Sequence, residues 1–366
     1  MDDGEQMTEE HQHETHRSRL RIGIAGLGRA GLFNHLTALR QLSGLYTVTA
    51  VCDLLKERRD IVEKEMPDVH TYRRVDDMLY DQELDVVDIA LPSVHHVRTA
   101  IASLNRNLWT VVESPVALSH DDAILLRAAS AKTRGKLIPY VPGLFTPDFR
   151  LAKSMLDDPR LGNLFEVRVR HQDYIRRHDW QCVARCGGGC AWHEGQSALI
   201  EAIALMRTPP SQLWSDMKRI VSVGDAEDFV HIVLKSRCEV SADVEVCGAQ
   251  LEPFDPSYVL RGSLGTFSVQ PGASEGMLHV VDPAFNFPRR RSSVRTPPLD
   301  DMHESPPVLD IPVRLEGDRA EPGNIAFWRA LYTTVSTASP FPISVDEAVE
   351  IVRYLQLAKQ TSQFAK

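Results

Sequence analysis

The chain of 366 residues lacks both a long apolar run and an excess of positive charge. No apolar stretch approaches the ~20 residues that a membrane-spanning helix needs, so the sequence predicts no membrane span. Lys and Arg number 41 against 50 Asp and Glu, which gives a formal net charge of −9. A surface of this sign is unsuited to nucleic acid and to anionic membranes. We therefore expect neither as a partner.

The chain also lacks any C-x-x-C pair, although it has six cysteines. Cys182, Cys186 and Cys190 form a C-x3-C-x3-C series, a spacing that matches no common zinc or iron–sulfur site. We therefore interpret the cysteines as reduced thiols and predict no metal site. Residues 1–18 are polar and acidic with no hydrophobic stretch, which indicates a disordered tail rather than a secretory signal. Together these features favour a cytoplasmic protein.

Length and hydrophobic patterning predict two domains. Up to residue 145, short apolar segments alternate with amphipathic helical segments, the pattern of a doubly wound parallel sheet. The predicted strands are LRIGIA, YTVTAVCD, DVVDIALP, WTVVESP and KLIPYVP. We expect a nucleotide-binding Rossmann domain over 19–145 and a second domain over 146–366.

From about residue 165 the apolar residues recur every second position, which predicts an α+β domain with an open, largely antiparallel sheet. The predicted strands are FEVRVRHQDY, FVHIVLKS, CEVSADVEVCG, YVLRGSLGTFSVQ and MLHVVD. Helical patterns occur only over 190–206 and from about 323, and the last helix has the length to pack back on the first domain. Residues 283–314, rich in Pro, Arg and Ser, predict a long loop.

A glycine motif between the first strand and the first helix predicts a dinucleotide site. Gly26, Gly28 and Gly31 spell G-x-G-x-x-G, and Asp53 ends the next strand. In this arrangement the glycines allow a tight turn, a close approach of the backbone to a pyrophosphate, and close packing of helix on strand. The carboxylate of Asp53 would accept hydrogen bonds from ribose hydroxyls and repel a 2′-phosphate, which favours NAD. Arg58, one helical turn further on, keeps NADP open as an alternative.

With these motifs in place, the chain resembles the Gfo/Idh/MocA family of oxidoreductases, named after glucose–fructose oxidoreductase and inositol dehydrogenase. LPSVHHVRTAIASL is similar to the family's P-N-x-x-H-x-x-x-A-x-x-A-L, and VVESPVALS lies where the family has Glu-Lys-Pro. GGGCAWHEGQSALIE matches its glycine triplet and catalytic helix. The resemblance implies a cofactor site made of Gly26, Gly28, Arg29, Ala30, Gly31, Asp53, Pro92, Ser93, His96 and Glu113.

The resemblance also implies what the protein does. Typical members oxidise or reduce a secondary alcohol of a sugar, inositol or related polyol with NAD(P), and their second domain often builds homodimers or homotetramers. Their usual catalytic set is a Lys, an Asp and a His. Here those positions hold Ser114, His193 and Ser197, so the chain resembles a divergent member that lacks all three usual groups.

Three interpretations of this changed set stay open. In the first, His193 is the acid–base of an active dehydrogenase and Ser114 and Ser197 orient the substrate hydroxyl. In the second, the protein cleaves glycosides through transient oxidation by bound NAD. In the third, it is a non-catalytic regulatory protein that binds a nucleotide or sugar. Substrate contacts are expected from Arg177, which suits a carboxylate, and from Trp192 and Tyr174.

Overall fold

The computed structural model describes residues 19–362 except 82, 253–254, 290–291, 293, 295–302 and 316–319. The predicted tail over 1–18 lies outside the described residues. The first sheet has six parallel strands in the order β3-β2-β1-β4-β5-β6. These are β1 (Leu20–Ala25), β2 (Tyr46–Cys52), β3 (His70–Tyr72), β4 (Val86–Ile89), β5 (Trp109–Val112) and β6 (Leu137–Pro139).

Helices cover both faces of this sheet, as expected of right-handed crossovers between parallel strands. A π-helix over Ala30–Leu36 follows the glycine turn and continues into α1. The α-helices of this part are α1 (Thr37–Gln41), α2 (Lys56–Glu65), α3 (Val75–Asp81), α4 (His96–Asn105) and α5 (His120–Ala131). The α5 helix begins where the Ser119 hydroxyl accepts a hydrogen bond from the Asp122 amide, a standard N-cap. The short β3 and α3 were not expected from the sequence, since neither carries a long periodic pattern.

The second sheet has eight strands in the order β14-β13-β12-β11-β7-β10-β9-β8. Only β7 and β10 pair in parallel, so the sheet is mixed and mostly antiparallel. Its strands are β7 (Leu164–Gln172), β8 (Pro210–Lys218), β9 (Phe229–Ser236), β10 (Ser241–Cys247), β11 (Tyr258–Gly262), β12 (Gly265–Val269), β13 (Glu275–Val281) and β14 (Val308–Arg314). The two sheets confirm the predicted fold class.

Two predictions of local structure in this half were wrong. The segment predicted as a long loop over 283–314 ends in β14, which pairs antiparallel with β13. Pro312 concealed this strand in the sequence, yet β14 is the edge of the sheet, where a residue without an N–H is tolerated. The single strand predicted over YVLRGSLGTFSVQ is the hairpin of β11 and β12, which turns at Ser263 and Leu264.

Four further helices complete the described part of the chain: α6 (Pro147–Met155), α7 (Glu194–Met206), α8 (Gly323–Thr337) and α9 (Val345–Thr361). Phe327 and Trp328 of α8 are fully buried in the apolar core of the first sheet. The Tyr46 hydroxyl on β2 donates to the Trp328 carbonyl at 2.7 Å. On α9, the Gln356 side chain accepts from the His120 amide at 2.8 Å. The C-terminal helices therefore return to the nucleotide-binding half. Within the described residues, no helix is long and apolar enough to cross a membrane.

Candidate active site

The glycine turn after β1 has the shape that a dinucleotide requires. Gly26 has φ +104°, and a Cβ there would lie 2.4 Å from the Ala90 carbonyl oxygen. A Cβ on Gly31 would lie 1.9 Å from the Gly26 carbonyl oxygen, so the helix approaches the turn as closely as only glycine allows. Gly28 differs, since the nearest atom to its Cβ position is Arg58 Nη1 at 3.9 Å. The space beside Gly28 fits a pyrophosphate.

Asp53 lies at the carboxyl end of β2, beside this turn. Its side chain is buried, with Oδ2 accepting from the Leu27 amide at 2.9 Å and Oδ1 accepting from the Leu55 amide at 2.9 Å. Arg58 Nη1 donates to Oδ2 at 3.2 Å, and Arg59 Nη1 donates to the Asp53 carbonyl at 2.6 Å. The carboxylate is thus fixed beside the glycine turn, with a guanidinium paired to it.

The loops after β4 and β5 form the other wall of the cofactor site. The His96 ring bridges them, with Nδ1 2.7 Å from the Pro115 carbonyl oxygen and Nε2 2.7 Å from that of Leu91. Burial lowers the pKa of His96, although both carbonyls raise it. Pro92 begins the short 3-10 turn in which Ser93 lies, and the buried Ser93 Oγ has no partner among the described residues. An enclosed hydroxyl of this kind fits a bound polar group.

Arg29 and Ala30, the remaining predicted cofactor contacts, stand directly after Gly28. The Arg29 side chain is exposed and Ala30 is half-buried. Their backbone amides belong to the same turn, which keeps them within reach of a nucleotide.

A buried cluster of two carboxylates and one imidazole supports this wall. His35 Nδ1 lies 2.7 Å from Asp88 Oδ2, and His35 Nε2 lies 2.9 Å from Glu113 Oε1. Burial on its own would lower the pKa of His35. The charges and hydrogen bonds of Asp88 and Glu113 outweigh burial and raise this pKa from 6.5 to about 10. Burial raises the pKa of Asp88. Burial also acts to raise the pKa of Glu113, but the hydrogen bond and charge of His35 together with the Ser114 amide outweigh it and lower that pKa. We call this group the Asp88–His35–Glu113 cluster.

The cluster also fixes the backbone at Ser114. Glu113 Oε2 accepts from the Ser114 amide at 2.8 Å, and the Ser114–Pro115 peptide bond is cis. The Ser114 hydroxyl accepts from Gln196 Nε2 at 2.9 Å, while Gln196 Oε1 accepts from the Val116 amide at 3.2 Å. Gln196 is fully buried, and its side chain links α7 to the segment that follows β5.

His193 caps the start of α7 and meets the same residue. Its Nδ1 lies 3.4 Å from the Ser114 carbonyl oxygen. The Trp180 ring packs edge-on against the imidazole, with 5.3 Å between ring centroids. His193 Nε2 is enclosed and has no hydrogen-bond partner in the part of the chain that the structure describes. The structure therefore brings His193 and Ser114 together, as the sequence predicted.

A cleft of about 430 Å³ lies between α7 and the second sheet, and His193 is part of its lining. Such a volume falls in the range of small-molecule sites. The polar side chains in its lining include His171, Arg177, Glu194, Glu201 and Tyr258.

Arg177 is the one predicted substrate contact that lines this cleft. Its guanidinium lies 3.8 Å from Glu194 Oε1 and 3.9 Å from Asp179 Oδ2, and about a quarter of its side chain (26%) is exposed. These are long ion pairs of a partly hydrated group, so a ligand anion can compete for the guanidinium.

Three other predicted site residues lie outside the cleft. Trp192 is buried in the core, and its ring lies 5.7 Å from Lys359 Nζ. The expectation that this ring contacts the substrate is therefore wrong, and Trp192 is a packing residue. Tyr174 is exposed and bridges to Ala249, and its flanking residues, not its own side chain, reach the cleft. Ser197 is half-exposed on α7 and is likewise not part of the lining.

Several site residues were missed at the sequence level. His35, Gln196, His171, Glu201 and Tyr258 carry no local motif, because each gains its partner only across the fold. A weak signal existed for Glu201, a charged residue on the apolar helix pattern of α7. Burial of such a residue requires a partner, which is a reason to suspect a site.

Comparison with known proteins agrees with this geometry. Residues 20–140 match the model of the Gfo/Idh/MocA oxidoreductase family with an NAD-binding Rossmann fold, and residues 149–268 match the family's C-terminal domain. An uncharacterized oxidoreductase of Schizosaccharomyces pombe is 24% identical, and the match covers 82% of this chain and 86% of that protein.

A scyllo-inositol 2-dehydrogenase (NADP(+)) of Bacillus subtilis is 21% identical, with 94% of each chain covered. Among solved structures, the WlbA dehydrogenase from Bordetella pertussis, in complex with NADH and UDP-GlcNAcA, has a TM-score of 0.74 at 16% identity. That match covers 94% of this chain and 95% of the other, and at this identity it shows the fold alone. The glycine turn, the two sheets and both family matches together establish that the chain belongs to the Gfo/Idh/MocA family of NAD(P)-dependent oxidoreductases.

Proposed function

We propose that the protein is an active dehydrogenase or reductase that works on a secondary alcohol of a sugar, polyol or sugar acid, with His193 as its acid–base. One observation carries this proposal. His193 contacts Ser114 at the edge of the cofactor site and also lines the cleft of the second domain. A group that moves the substrate proton has to stand at that junction, because the carbinol carbon must face the nicotinamide.

The contact with Ser114 supports one particular tautomer of His193. If Nδ1 carries the proton and donates to the Ser114 carbonyl, Nε2 keeps its lone pair. Nε2 then accepts the proton of the substrate hydroxyl and returns it in the reverse direction. Bound NAD(P) supplies the hydride acceptor or donor. Trp180 covers the imidazole and shields it from water, which strengthens the hydrogen bonds made there.

Ser114 is proposed to orient the substrate hydroxyl rather than to stabilise charge. Its hydroxyl oxygen accepts from Gln196, and its proton is directed at the Tyr140 carbonyl 3.4 Å away, a long bond from which a substrate oxygen can take it over. A neutral hydroxyl cannot replace the cation that relatives place at this position, so we expect slow turnover.

The ribose end of the site favours NAD, with NADP as the alternative. The Asp53 carboxylate repels a 2′-phosphate, while the paired Arg58 reduces that repulsion. Lone pairs remain on Asp53 for ribose hydroxyls, because each of its oxygens can accept more than one bond.

At the outer end of the cleft we propose that Arg177 binds an anionic substituent of the substrate. The guanidinium is only loosely held by Glu194 and Asp179, and a carboxylate fits its two-donor geometry. A sugar acid is therefore the favoured substrate class. The Bordetella pertussis relative, whose structure holds UDP-GlcNAcA, is consistent with this choice.

A second candidate is a binding protein that keeps the nucleotide and has no chemistry. The uncharged Ser114 and the enclosed Nε2 of His193 favour it. It predicts that NAD and a sugar acid both bind while no hydride is transferred.

The deciding experiment follows NADH or NADPH absorbance with purified protein, both cofactors, and a panel of inositols, hexoses and uronic acids. Replacing His193 by alanine is expected to lower kcat by about 10²–10⁴-fold and leave cofactor binding unchanged. The matched control is His279→Ala, at a partly exposed histidine on β13 that pairs with Asp310. Equal turnover in His193→Ala and wild type would show that another group moves the proton. Binding of both ligands with no turnover in wild type would select the second candidate.

A further inference from the structure

A second polar cluster lies along the cleft, on the same helix as His193. Glu201 Oε2 accepts from His171 Nε2 at 2.7 Å and from the Tyr258 hydroxyl at 2.9 Å. The three side chains come from α7, β7 and β11, and all three line the cleft. Only 1% of the Glu201 side chain is exposed. We call this group the Glu201–His171–Tyr258 cluster.

One oxygen of this buried carboxylate is unused. Glu201 Oε1 has no hydrogen-bond partner among the described residues. It faces Gly143, another lining residue of the cleft, where a Cβ would lie 1.9 Å from Oε1. A buried acceptor without a donor costs about 1–3 kcal/mol, so a site that retains one is suited to a donor brought by a ligand.

The charges around Glu201 select what kind of donor fits. Burial alone lowers the pKa of His171, but the adjacent Glu201 carboxylate raises it by more, which favours the imidazolium beside that carboxylate. Burial raises the pKa of Tyr258 well above its ordinary value, which keeps its hydroxyl a donor. A neutral hydroxyl donor therefore suits Oε1, because a cation would meet the imidazolium.

An anion is excluded from this end of the cleft. Asp148, which also lines it, accepts hydrogen bonds from three donors. Its Oδ2 accepts from Ser257 Oγ and from the Gly272 amide, both at 2.9 Å. Its Oδ1 accepts from the Phe149 amide at 3.0 Å. The fixed negative charge of Asp148 and the lone pairs of Glu201 repel a carboxylate.

The spacing along α7 indicates how far Glu201 lies from His193, the residue proposed to face the reacting carbon. Glu201 is eight residues after His193, which corresponds to a rise of about 12 Å along the helix axis. A two-ring carbohydrate matches this rise better than a single sugar ring does. A two-ring carbohydrate has the reach, and the cleft of about 430 Å³ has the volume for a ligand of that size.

We propose that the Glu201–His171–Tyr258 cluster is a hydroxyl-binding subsite, at which Glu201 Oε1 accepts a hydrogen bond from the distal ring of a disaccharide or glycoside. This subsite rests on the proposed function, because His193 defines the end of the cleft at which the first ring of the substrate would react. Glu201 is thus a specificity residue that favours a two-ring substrate over a single ring.

The test measures binding and turnover separately. The NAD-loaded protein is titrated calorimetrically with cellobiose, maltose and their uronic-acid forms, and with methyl glucoside and methyl glucuronide as one-ring probes. Wild type is expected to bind at least one two-ring probe more tightly than its one-ring counterpart, by roughly 10- to 100-fold, as one hydrogen bond to a charged acceptor provides. In Glu201→Gln this preference is expected to disappear, with binding of the one-ring probe unchanged.

Two further variants keep the test decisive if Glu201→Gln fails to fold. Gly143→Ala keeps the Glu201 side chain but places a methyl group against Oε1, which must shift, so the same loss of preference is expected. Tyr46→Phe is the matched control, because it removes a buried hydroxyl in the core of the first domain. Its two-ring preference is expected to equal that of wild type.

The outcomes separate the two proposals. A preference that depends on Glu201, in a protein that produces no NADH from any probe, supports the subsite and overturns the dehydrogenase. Turnover with an equal preference in wild type, Glu201→Gln and Gly143→Ala overturns the subsite alone. Absence of any two-ring preference in wild type also overturns it.

Discussion

The Asp88–His35–Glu113 cluster of the first domain and the Glu201–His171–Tyr258 cluster of the second differ in how much of their hydrogen-bonding capacity is used. In the Asp88–His35–Glu113 cluster both ring nitrogens of a fully buried histidine bond to carboxylates. In the Glu201–His171–Tyr258 cluster the carboxylate bonds one ring nitrogen of a histidine that is 26% exposed. The first is closed by protein groups, whereas the second is open to a cleft.

An unpaired oxygen alone does not distinguish them. Asp88 Oδ1 also lacks a partner among the described residues, but Asp88 is fully buried in the core and no part of it lines the cleft. Glu201 lines the cleft. Whether an unpaired carboxylate oxygen can serve a ligand therefore depends on whether its residue lines the cleft. The closed cluster positions the backbone at Ser114, and the open one keeps an acceptor for a ligand.

The largest effect is expected from opening the closed cluster. His35→Gln leaves two buried carboxylates without their cation, so we expect the free energy of unfolding to fall by about 3–5 kcal/mol. Urea denaturation measures this loss. In His35→Gln with Asp88→Asn, part of the stability should return, because one uncompensated carboxylate is gone. A loss below about 1 kcal/mol in the single variant would show that the cluster is not a charged one.

The same cluster predicts how stability depends on pH. The pKa of His35 is raised from 6.5 to about 10, so its stabilising contribution is complete below pH 6.5 and is lost as the pH rises toward 10. Glu113, with a lowered pKa, contributes above its ordinary pKa of 4.5 and loses its contribution as the pH falls below that. The stability difference between wild type and His35→Gln should therefore be greatest near pH 5–6 and shrink toward pH 10. A difference that is constant from pH 6 to 10 would contradict the charged state of His35.

The smallest effect is expected from the open cluster. His171→Gln keeps a donor near Glu201 and leaves the site partly accessible to water, so we expect a loss of about 1–2 kcal/mol. Thermal and urea unfolding of this variant and of His35→Gln, measured side by side, compare the two clusters directly. A loss in His171→Gln as large as that in His35→Gln would remove the distinction between closed and open.

Much of the cofactor half could be predicted from local sequence. The turn at Gly26 and Gly31 and the carboxylate of Asp53 lie within one βαβ unit, where spacing determines geometry. Edge elements were harder to predict, since β14 depends on pairing with β13 and contains Pro312. Trp192 was ambiguous because a tryptophan beside a site motif has the same local pattern whether it faces a ligand or the core.

The two histidine–carboxylate clusters could not be predicted from local sequence patterns. His35 lies 53 residues from Asp88 and 78 from Glu113, and Glu201 lies 30 from His171 and 57 from Tyr258. No helical or strand period connects residues so far apart. Only the packing of β4, β5 and the π-helix, and of α7 on β7 and β11, brings these groups within hydrogen-bond distance.

The sequence by itself determined the glycine turn and the parallel first sheet. Such features follow from backbone conformation and periodicity, which act between neighbours in the chain. Tertiary structure alone decided that Ser114 is held by Glu113 and Gln196 and that Trp192 is buried. It also left Glu201 Oε1 without a hydrogen-bond partner among the described residues. Burial and hydrogen bonding between distant segments control these properties, and they exist only once the two sheets and their helices have packed.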